Sequence, residues 1–397
     1  MAKLNNITEA IDYIINRNNK FDLSRFKKIL NDLGNPQDNF KTIHITGTNG
    51  KGQSAKYLND LLIASGFKVG LFTSPHLISH LDRIRLNNEW IDENFFINRL
   101  NYYYELSETK KLSMFELDFL IMCDYFNTNK IDFAIIEVGI GARYDYTSVI
   151  NKPIISIITS IGLDHVRILG NSLREIAFDK SFIIKKDSIA IMHKMPSLNQ
   201  IFLSRANEVG AKLKIIDSYI ELEDNEFKLD NKIYKVQRNV SYFKENAAIA
   251  ISAYKELSTL FNFKEVMINE ILQNSSWEGR FEVIKEDPYL ILDGAHNPVA
   301  AKNLLINLKK INKDFAIIMA FTKGHDIDSF IDIFKEYEIF FFKINCFKAL
   351  SLQELLKYNY KMYNNFDLLF KDLKAKNLVF TGSLYLISEL KTYLRNK

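Results

Sequence analysis

The chain has 397 residues, 47% of them hydrophobic and 25% charged, with a net charge of +4. This composition excludes a largely disordered chain, and so small a charge with no concentrated basic tract gives no case for nucleic acid or membrane as partner. Two distant cysteines, Cys123 and Cys346, exclude a disulfide framework and a cysteine-based zinc site. With no h-region in residues 1–20 and no apolar run of about 18 residues, a cytoplasmic protein in a reducing compartment is expected.

At about 150 residues per domain, the length predicts more than one core, and two unequal domains fit the pattern. The first predicted strand, residues 41–46, runs into Thr46-Gly47-Thr48-Asn49-Gly50-Lys51-Gly52, and an amphipathic helix is expected from 54 to about 65. Gly47, Gly50 and Gly52 let successive backbone N–H groups point at one anion, Lys51 adds fixed positive charge, and the helix aims its positive end at the same place. The spacing is shorter than the common G-x-x-x-x-G-K-[ST], so it is a variant phosphate loop.

Further apolar runs at 68–72, 132–139, 154–160, 188–192 and 212–216 alternate with helical stretches. Strands apolar on both faces predict a parallel sheet covered on each side, a doubly wound α/β domain. Residues 219–236 change to short alternating strands around Asp230-Asn231 and predict an appended hairpin. Helices over 243–260 and near 263–273 precede Ser275-Ser276-Trp277-Glu278-Gly279-Arg280, the best linker candidate. Beyond it the pattern restarts with strands at 289–292, 315–320, 339–345 and 377–381 and helices at 300–311 and 327–337. The expected division is 1–276, a linker at 277–282, and a smaller Rossmann-like α/β domain at 283–397.

Polar residues recur where these strands end, the side of an open sheet on which ligands bind. Ser74 follows the second strand in Thr73-Ser74-Pro75-His76. Glu137 interrupts the apolar run 133–136, and a carboxylate there is costly unless a cation meets it; the candidates are magnesium beside a nucleotide phosphate and an ion pair with Arg143. Asp164-His165 closes the apolar stretch 154–162, and Asp293-Gly294-Ala295-His296-Asn297 follows the strand at 289–292. Arg280 stands in the linker. Two domains with such ends facing across a hinge suggest a closing active site. Lys180, in a helix expected over 172–184, reads by default as a solvated charge.

Taken in order, these motifs resemble the folylpolyglutamate synthase and dihydrofolate synthase family of Mur-type ATP-dependent ligases. The likeness spans essentially the whole chain. It includes Leu33-Gly34-Asn35-Pro36-Gln37, the cradle, Thr73-Ser74-Pro75-His76-Leu77, Arg83-Ile84-Arg85, Glu137-Val138-Gly139, Ser160-Ile161-Gly162-Leu163-Asp164-His165, Trp277-Glu278-Gly279-Arg280, Leu292-Asp293-Gly294-Ala295-His296-Asn297-Pro298 and Thr381-Gly382-Ser383-Leu384-Tyr385. The resemblance implies a P-loop parallel-sheet ATP-binding domain and ATP-dependent addition of L-glutamate to a folate or folylpolyglutamate through an acyl phosphate. Dihydropteroate is a second candidate acceptor.

It further implies Mg²⁺ on Ser74, Glu137 and His165, and ATP on Gly47, Thr48, Asn49, Gly50, Lys51, Gly52, Asn246, Arg280, Asp293 and His296. Lys51, Lys180, His165 and Arg280 are the implied catalytic residues, and Lys180 matches a lysine that becomes carbamylated. A monomer is expected. Departures fall at Gln53, where Ser or Thr is usual, and at Ala142, Tyr146, Ser148, Arg167, Tyr242 and Phe243. Gln53 and Arg167 motivate one alternative, a nucleotide-binding module that has lost turnover; a second enzyme reading is a Mur-type ligase with another carboxylate substrate.

Overall fold

The computed structural model describes residues 4–17, 19–346 and 348–397. Residues 1–3 and 18, part of the stretch inspected for an h-region, lie outside them. An eight-stranded sheet is built from β1 (Lys41–Thr46), β2 (Val69–Phe72), β3 (Ile84–Leu86), β4 (Glu89–Trp90), β5 (Phe133–Glu137), β6 (Ile155–Ile158), β7 (Ile189–His193) and β8 (Lys212–Ile216), in the order β4-β3-β2-β5-β1-β6-β7-β8. All pairings from β2 to β8 are parallel. Strands buried on both faces, such as β2, β5 and β6, need helices above and below them. The helices Lys51–Ala64 and Ser241–Leu260 supply apolar side chains to one buried cluster and Met114–Asn129 to another.

The parallel α/β expectation is met, with one addition: β3 and β4 extend the sheet as an antiparallel edge. They are too short, and their outer residues too polar, to announce themselves. The hairpin at 219–236 is instead a separate three-stranded sheet of β9 (Ile220–Glu221), β10 (Glu226–Leu229) and β11 (Lys232–Lys235). Its tight turn is where the sequence places it: Asp230 and Asn231 both take positive φ, 48° and 62°.

A second sheet, ordered β12-β13-β17-β14-β15-β16, contains β12 (Glu282–Glu286), β13 (Tyr289–Leu292), β14 (Phe315–Met319), β15 (Glu338–Phe342), β16 (Met362–Tyr363) and β17 (Asn377–Thr381). β12 is antiparallel to β13 and the rest are parallel. β12, β16 and the closing helix Leu384–Arg395 have no counterpart in the expectations.

Several elements are shorter than their apolar patterns. The helix expected near 263–273 is only Ile268–Asn274, because Phe263 is held between the rings of Phe67 and Tyr254, 4.8 and 5.0 Å away. The helix over 327–337 ends at Ile333, where the Phe334 N–H bonds Ile331 and tightens the turn. The helix around Lys180 is Leu173–Ser181, started by a Ser172–Glu175 capping box. By contrast, the cradle helix begins three residues earlier than the amphipathic pattern, at Lys51, with Gly50 in the left-handed region at φ 89° as its cap. Among the described residues, no helix is long and apolar enough to cross a membrane.

Candidate active site at the strand termini

β1 lies between β5 and β6. The chain leaving β1 continues to β2 on the β5 side, while β6, β7 and β8 lie on the other, so the cradle sits where the winding direction reverses, the usual ligand crevice of an open sheet. β6 stops at Ile158, short of the expected end at 160, because the next two residues fold over the cradle. Thr159 Oγ1 and Ser160 Oγ both donate to the Asn49 carbonyl, at 2.7 and 3.0 Å. Ser160 also accepts from the Thr48 N–H through its carbonyl and from the Asn49 N–H through its hydroxyl. Asp164-His165 therefore lies well beyond the strand end. Thr159 was missed in the sequence; a hydroxyl after a strand is too common to signal a role.

Gly47 is required by close approach: a Cβ there would stand 1.9 Å from Thr159 Oγ1. Lys51 Nζ donates to the Gly47 and Thr48 carbonyls at 3.1 and 3.3 Å, so the cation is folded back over its own loop. Its other neighbour is Glu137 Oε1 at 3.9 Å. Glu137 is buried at the end of β5, and Oε2 accepts from the Ser74 N–H at 3.4 Å. Burial pushes its carboxyl above the usual carboxylate range, opposed by Lys51, the Ser74 N–H, Arg280 and Arg83. These contacts are long for a buried carboxylate, which calls for a stronger cationic partner. The ion pair with Arg143 does not form; that guanidinium lies over the rings of Tyr144 and Phe182, at 5.0 and 4.7 Å.

Lys180 enters from the other side. Its ammonium is buried and donates to the Gly47 carbonyl at 3.0 Å, so the default of a solvated charge is wrong for this position. Burial brings its pKa down to about 7, with the Lys51 charge acting in the same direction. Nothing in the local pattern distinguishes Lys180 from any helix lysine. His165, with φ 48°, has its N–H held by Asp164 Oδ1 at 2.8 Å. Its pKa is lowered by burial and by the charges of Lys51, His296 and Lys180, against Asp164.

The second sheet meets this site across a polar seam. Asn297 Nδ2 donates to Asn49 Oδ1 at 3.1 Å and to Asp164 Oδ2 at 3.2 Å, and His296 Nε2 lies 3.8 Å from Asp164 Oδ2. His296 Nδ1 is bound to the Gly294 carbonyl at 2.8 Å. Asp293, which the resemblance places on ATP, is engaged within the protein: Oδ2 accepts from the Tyr242 hydroxyl at 2.6 Å and the Phe281 N–H at 2.9 Å, and Oδ1 from the Ala295 N–H at 2.8 Å. Arg280 lines a cavity of about 200 Å³ together with Gly52, Ser74, Glu137, Arg85 and Trp277. Tyr146 is buried against Phe26, with its ring stacked on Phe115 at 6.2 Å.

The residues fit a hard divalent cation in one respect: an under-partnered buried carboxylate lies beside Ser74 in the cavity lined by Arg280. Among the described residues, no three His, Cys, Asp or Glu side chains converge as a closed metal site. Magnesium held through one carboxylate, water and substrate phosphate has no need of one. Ser74 and Glu137 are in contact, whereas His165 joins them only through the field of Lys51.

Residues 45–262 match the Mur ligase middle domain. The dihydrofolate synthase/folylpolyglutamate synthase of Buchnera aphidicola subsp. Acyrthosiphon pisum is 31% identical, over 93% of each chain. That of Bacillus subtilis is 28% identical over 94% of this chain and 95% of its own. In fold, a bifunctional folylpolyglutamate synthase/dihydrofolate synthase from Yersinia pestis, solved with AMPPNP and Mn ion, superposes with a TM-score of 0.88 at 24% identity over all of both chains. The chain belongs to the folylpolyglutamate synthase and dihydrofolate synthase family of Mur-type ligases.

Proposed function

We propose that this protein is an ATP-dependent ligase that joins L-glutamate to the γ-carboxylate of a reduced folate or folylpolyglutamate. Dihydropteroate is a second acceptor in the double activity for which the relatives are named. The observation that carries the reading is the buried Glu137 carboxylate beside Ser74 and Lys51, at the foot of a phosphate cradle and in a cavity closed by Arg280. That is where charge on a transferring phosphoryl group must be met.

On this reading the N–H groups of Gly50, Lys51 and Gly52 and the Lys51 ammonium hold the ATP phosphates, while Ser160 holds the N–H groups of Thr48 and Asn49 and so fixes the loop between Gly47 and Gly50. Lys51 exchanges its loop carbonyls for phosphate oxygens when nucleotide enters. Ser74 and Glu137, with His165 from the neighbouring loop, would hold Mg²⁺, and the ion would supply positive charge against the transferred group. An oxygen of the folate carboxylate attacks the γ-phosphorus and ADP leaves, giving an acyl phosphate. The glutamate amino group, free of its extra proton, then attacks the acyl carbon, phosphate departs, and the remaining proton is lost to leave an amide. Arg280 brings a fixed positive charge from the linker, and His296 and Asn246 complete the nucleotide's surroundings. Asp293 acts there through Tyr242 and the backbone it holds. The lobes are 1–276 and 283–397, joined at 277–282, in a monomeric cytoplasmic enzyme.

Lys180 is suited to carbamylation. Its amine nitrogen attacks the carbon of CO₂ and releases a proton, converting a buried cation into an anion beside the cradle. Only the neutral amine reacts, and with a pKa of about 7 that form grows as pH rises through neutrality. With isotopically labelled bicarbonate, a carbamate NMR resonance is expected to appear as pH is raised from 6 to 8 and to be missing in Lys180→Arg; its persistence in that variant would place the carbamate elsewhere.

The activity itself is tested by phosphate release from ATP. Release that requires both L-glutamate and a reduced folate is the expected result. ATP binding without such turnover would favour the nucleotide-binding module, and turnover with another carboxylate would favour a different Mur-type substrate. Side-by-side rates on dihydropteroate and tetrahydrofolate decide whether both are accepted.

A further inference from the structure

Gln53 and Asn246 meet beneath the cradle. Gln53 stands in the first turn of Lys51–Ala64 and is 4% exposed; Asn246 stands in the second turn of Ser241–Leu260. Asn246 Nδ2 donates to Gln53 Oε1 at 2.8 Å. The other end of the same carboxamide faces Gly50, where a Cβ would come within 2.3 Å of Asn246 Oδ1. An asparagine amide turns readily about its last torsion, which has broad, roughly two-fold preferences. Here one face has a hydrogen-bond partner and the other has a residue without a side chain, so the group is held in one orientation against the turn that begins the cradle helix.

The same helix carries a second fixed contact one turn earlier. Tyr242 lies at i−4 from Asn246, on the same face, and its hydroxyl binds Asp293 after β13. One helix face thus joins the cradle, through Gln53, to the second lobe, through Asp293.

We infer that Gln53 is a positioning residue for the nucleotide: it holds the Asn246 carboxamide against Gly50 and so fixes the turn on which the phosphates of an adenine nucleotide are held. This rests on the ATP-ligase reading. Gln53 touches no substrate and acts through Asn246. A shorter side chain at 53 leaves the asparagine free to rotate, whereas glutamine spans the gap between the two helices.

The test is calorimetric binding of ADP with Mg²⁺ to the full chain, its Gln53→Met, Gln53→Ser and Asn246→Ala variants, and the Gln53→Met/Asn246→Ala double variant. Loss of one hydrogen bond's positioning is expected to weaken binding about 5- to 10-fold in each single variant. The double variant should bind no more weakly than Asn246→Ala alone, because residue 53 acts only through 246. KM for L-glutamate should stay as in the parent. Gln53→Ser carries the same expectation and does not depend on methionine fitting the buried gap. Unchanged ADP affinity in the Gln53 variants, or losses that add in the double variant, would overturn the inference. A lower Tm without weaker binding would also overturn it, reducing Gln53 to packing. Lys51→Ala separates the two levels: if it weakens ADP binding while Gln53→Met does not, only this inference fails, and if it leaves binding intact, the nucleotide site itself is misplaced.

Discussion

Lys51→Ala is expected to lower turnover by on the order of 10²-fold or more, the loss typical of one preorganised donor aimed at developing charge. Lys51 bonds the Gly47 and Thr48 carbonyls, and it is the cation nearest Glu137. Its removal therefore takes away a charge that meets the phosphates and also exposes Glu137 to the anionic nucleotide with one opposing cation fewer. Folding should change little, since the Gly47 carbonyl keeps its bond from Lys180 and the loop keeps those from Thr159 and Ser160. Steady-state rates at saturating ATP, with thermal unfolding as control, check this; turnover within a few-fold of the parent would show that the cradle is misassigned.

Glu137→Gln keeps the shape and removes the charge. The Mg²⁺ concentration for half-maximal activity is expected to rise about 10- to 100-fold, at least what altering an outer partner of a metal ligand costs. In the absence of metal the variant should be as stable as the parent or more so. Burial raises the folded-state pKa of Glu137 above its unfolded value. Between those values the folded form holds the proton that the unfolded form has lost, so this group reduces stability as pH rises through the carboxylate range, and the penalty remains at neutrality. The variant lacks the group. Its stability advantage without Mg²⁺ should therefore grow from acid to neutral pH and shrink when Mg²⁺ is added. An unchanged magnesium titration would move the metal site away from Glu137.

The two experiments read different parts of one charge arrangement. Lys51 lies 3.9 Å from Glu137, and on the proposed function it is the cation that turns to phosphate when nucleotide binds, leaving the carboxylate for the metal. Asp164 belongs to the same balance on the second-lobe side. Burial raises its carboxyl, but His296 and His165 outweigh that and hold it below the usual range. A negative Asp164 accepting from Asn297 draws the second lobe onto the Asn49 loop, so the polar seam between the sheets runs through the cradle itself.

Much of the frame was legible in the order of residues alone. Apolar runs with no polar face require a covered parallel sheet, glycines around Lys51 require a tight turn into a helix, and Glu137 at the end of such a run requires a positive or hydrogen-bonding partner, met by Lys51 and the Ser74 N–H. Asp230-Asn231 marked its turn because those residues tolerate positive φ. Each of these is a local demand, settled by sterics or desolvation within a few residues. What local demand could not reach were pairings between distant segments. Lys180 lies 133 positions from Gly47 and became a site residue only when its helix packed behind the cradle. Arg143, a plausible partner for Glu137 by sequence distance, turned to aromatic rings instead. Thr159, Tyr242 and Gln53 took their roles from what the folded sheets set against them, and the antiparallel strands β3, β4 and β12 exist because neighbouring edges offered free backbone groups. Sequence fixed which residues had to be buried and which turns had to be tight; only the tertiary structure decided which buried polar group met which, because desolvation says that a partner is needed and packing geometry alone says who it is.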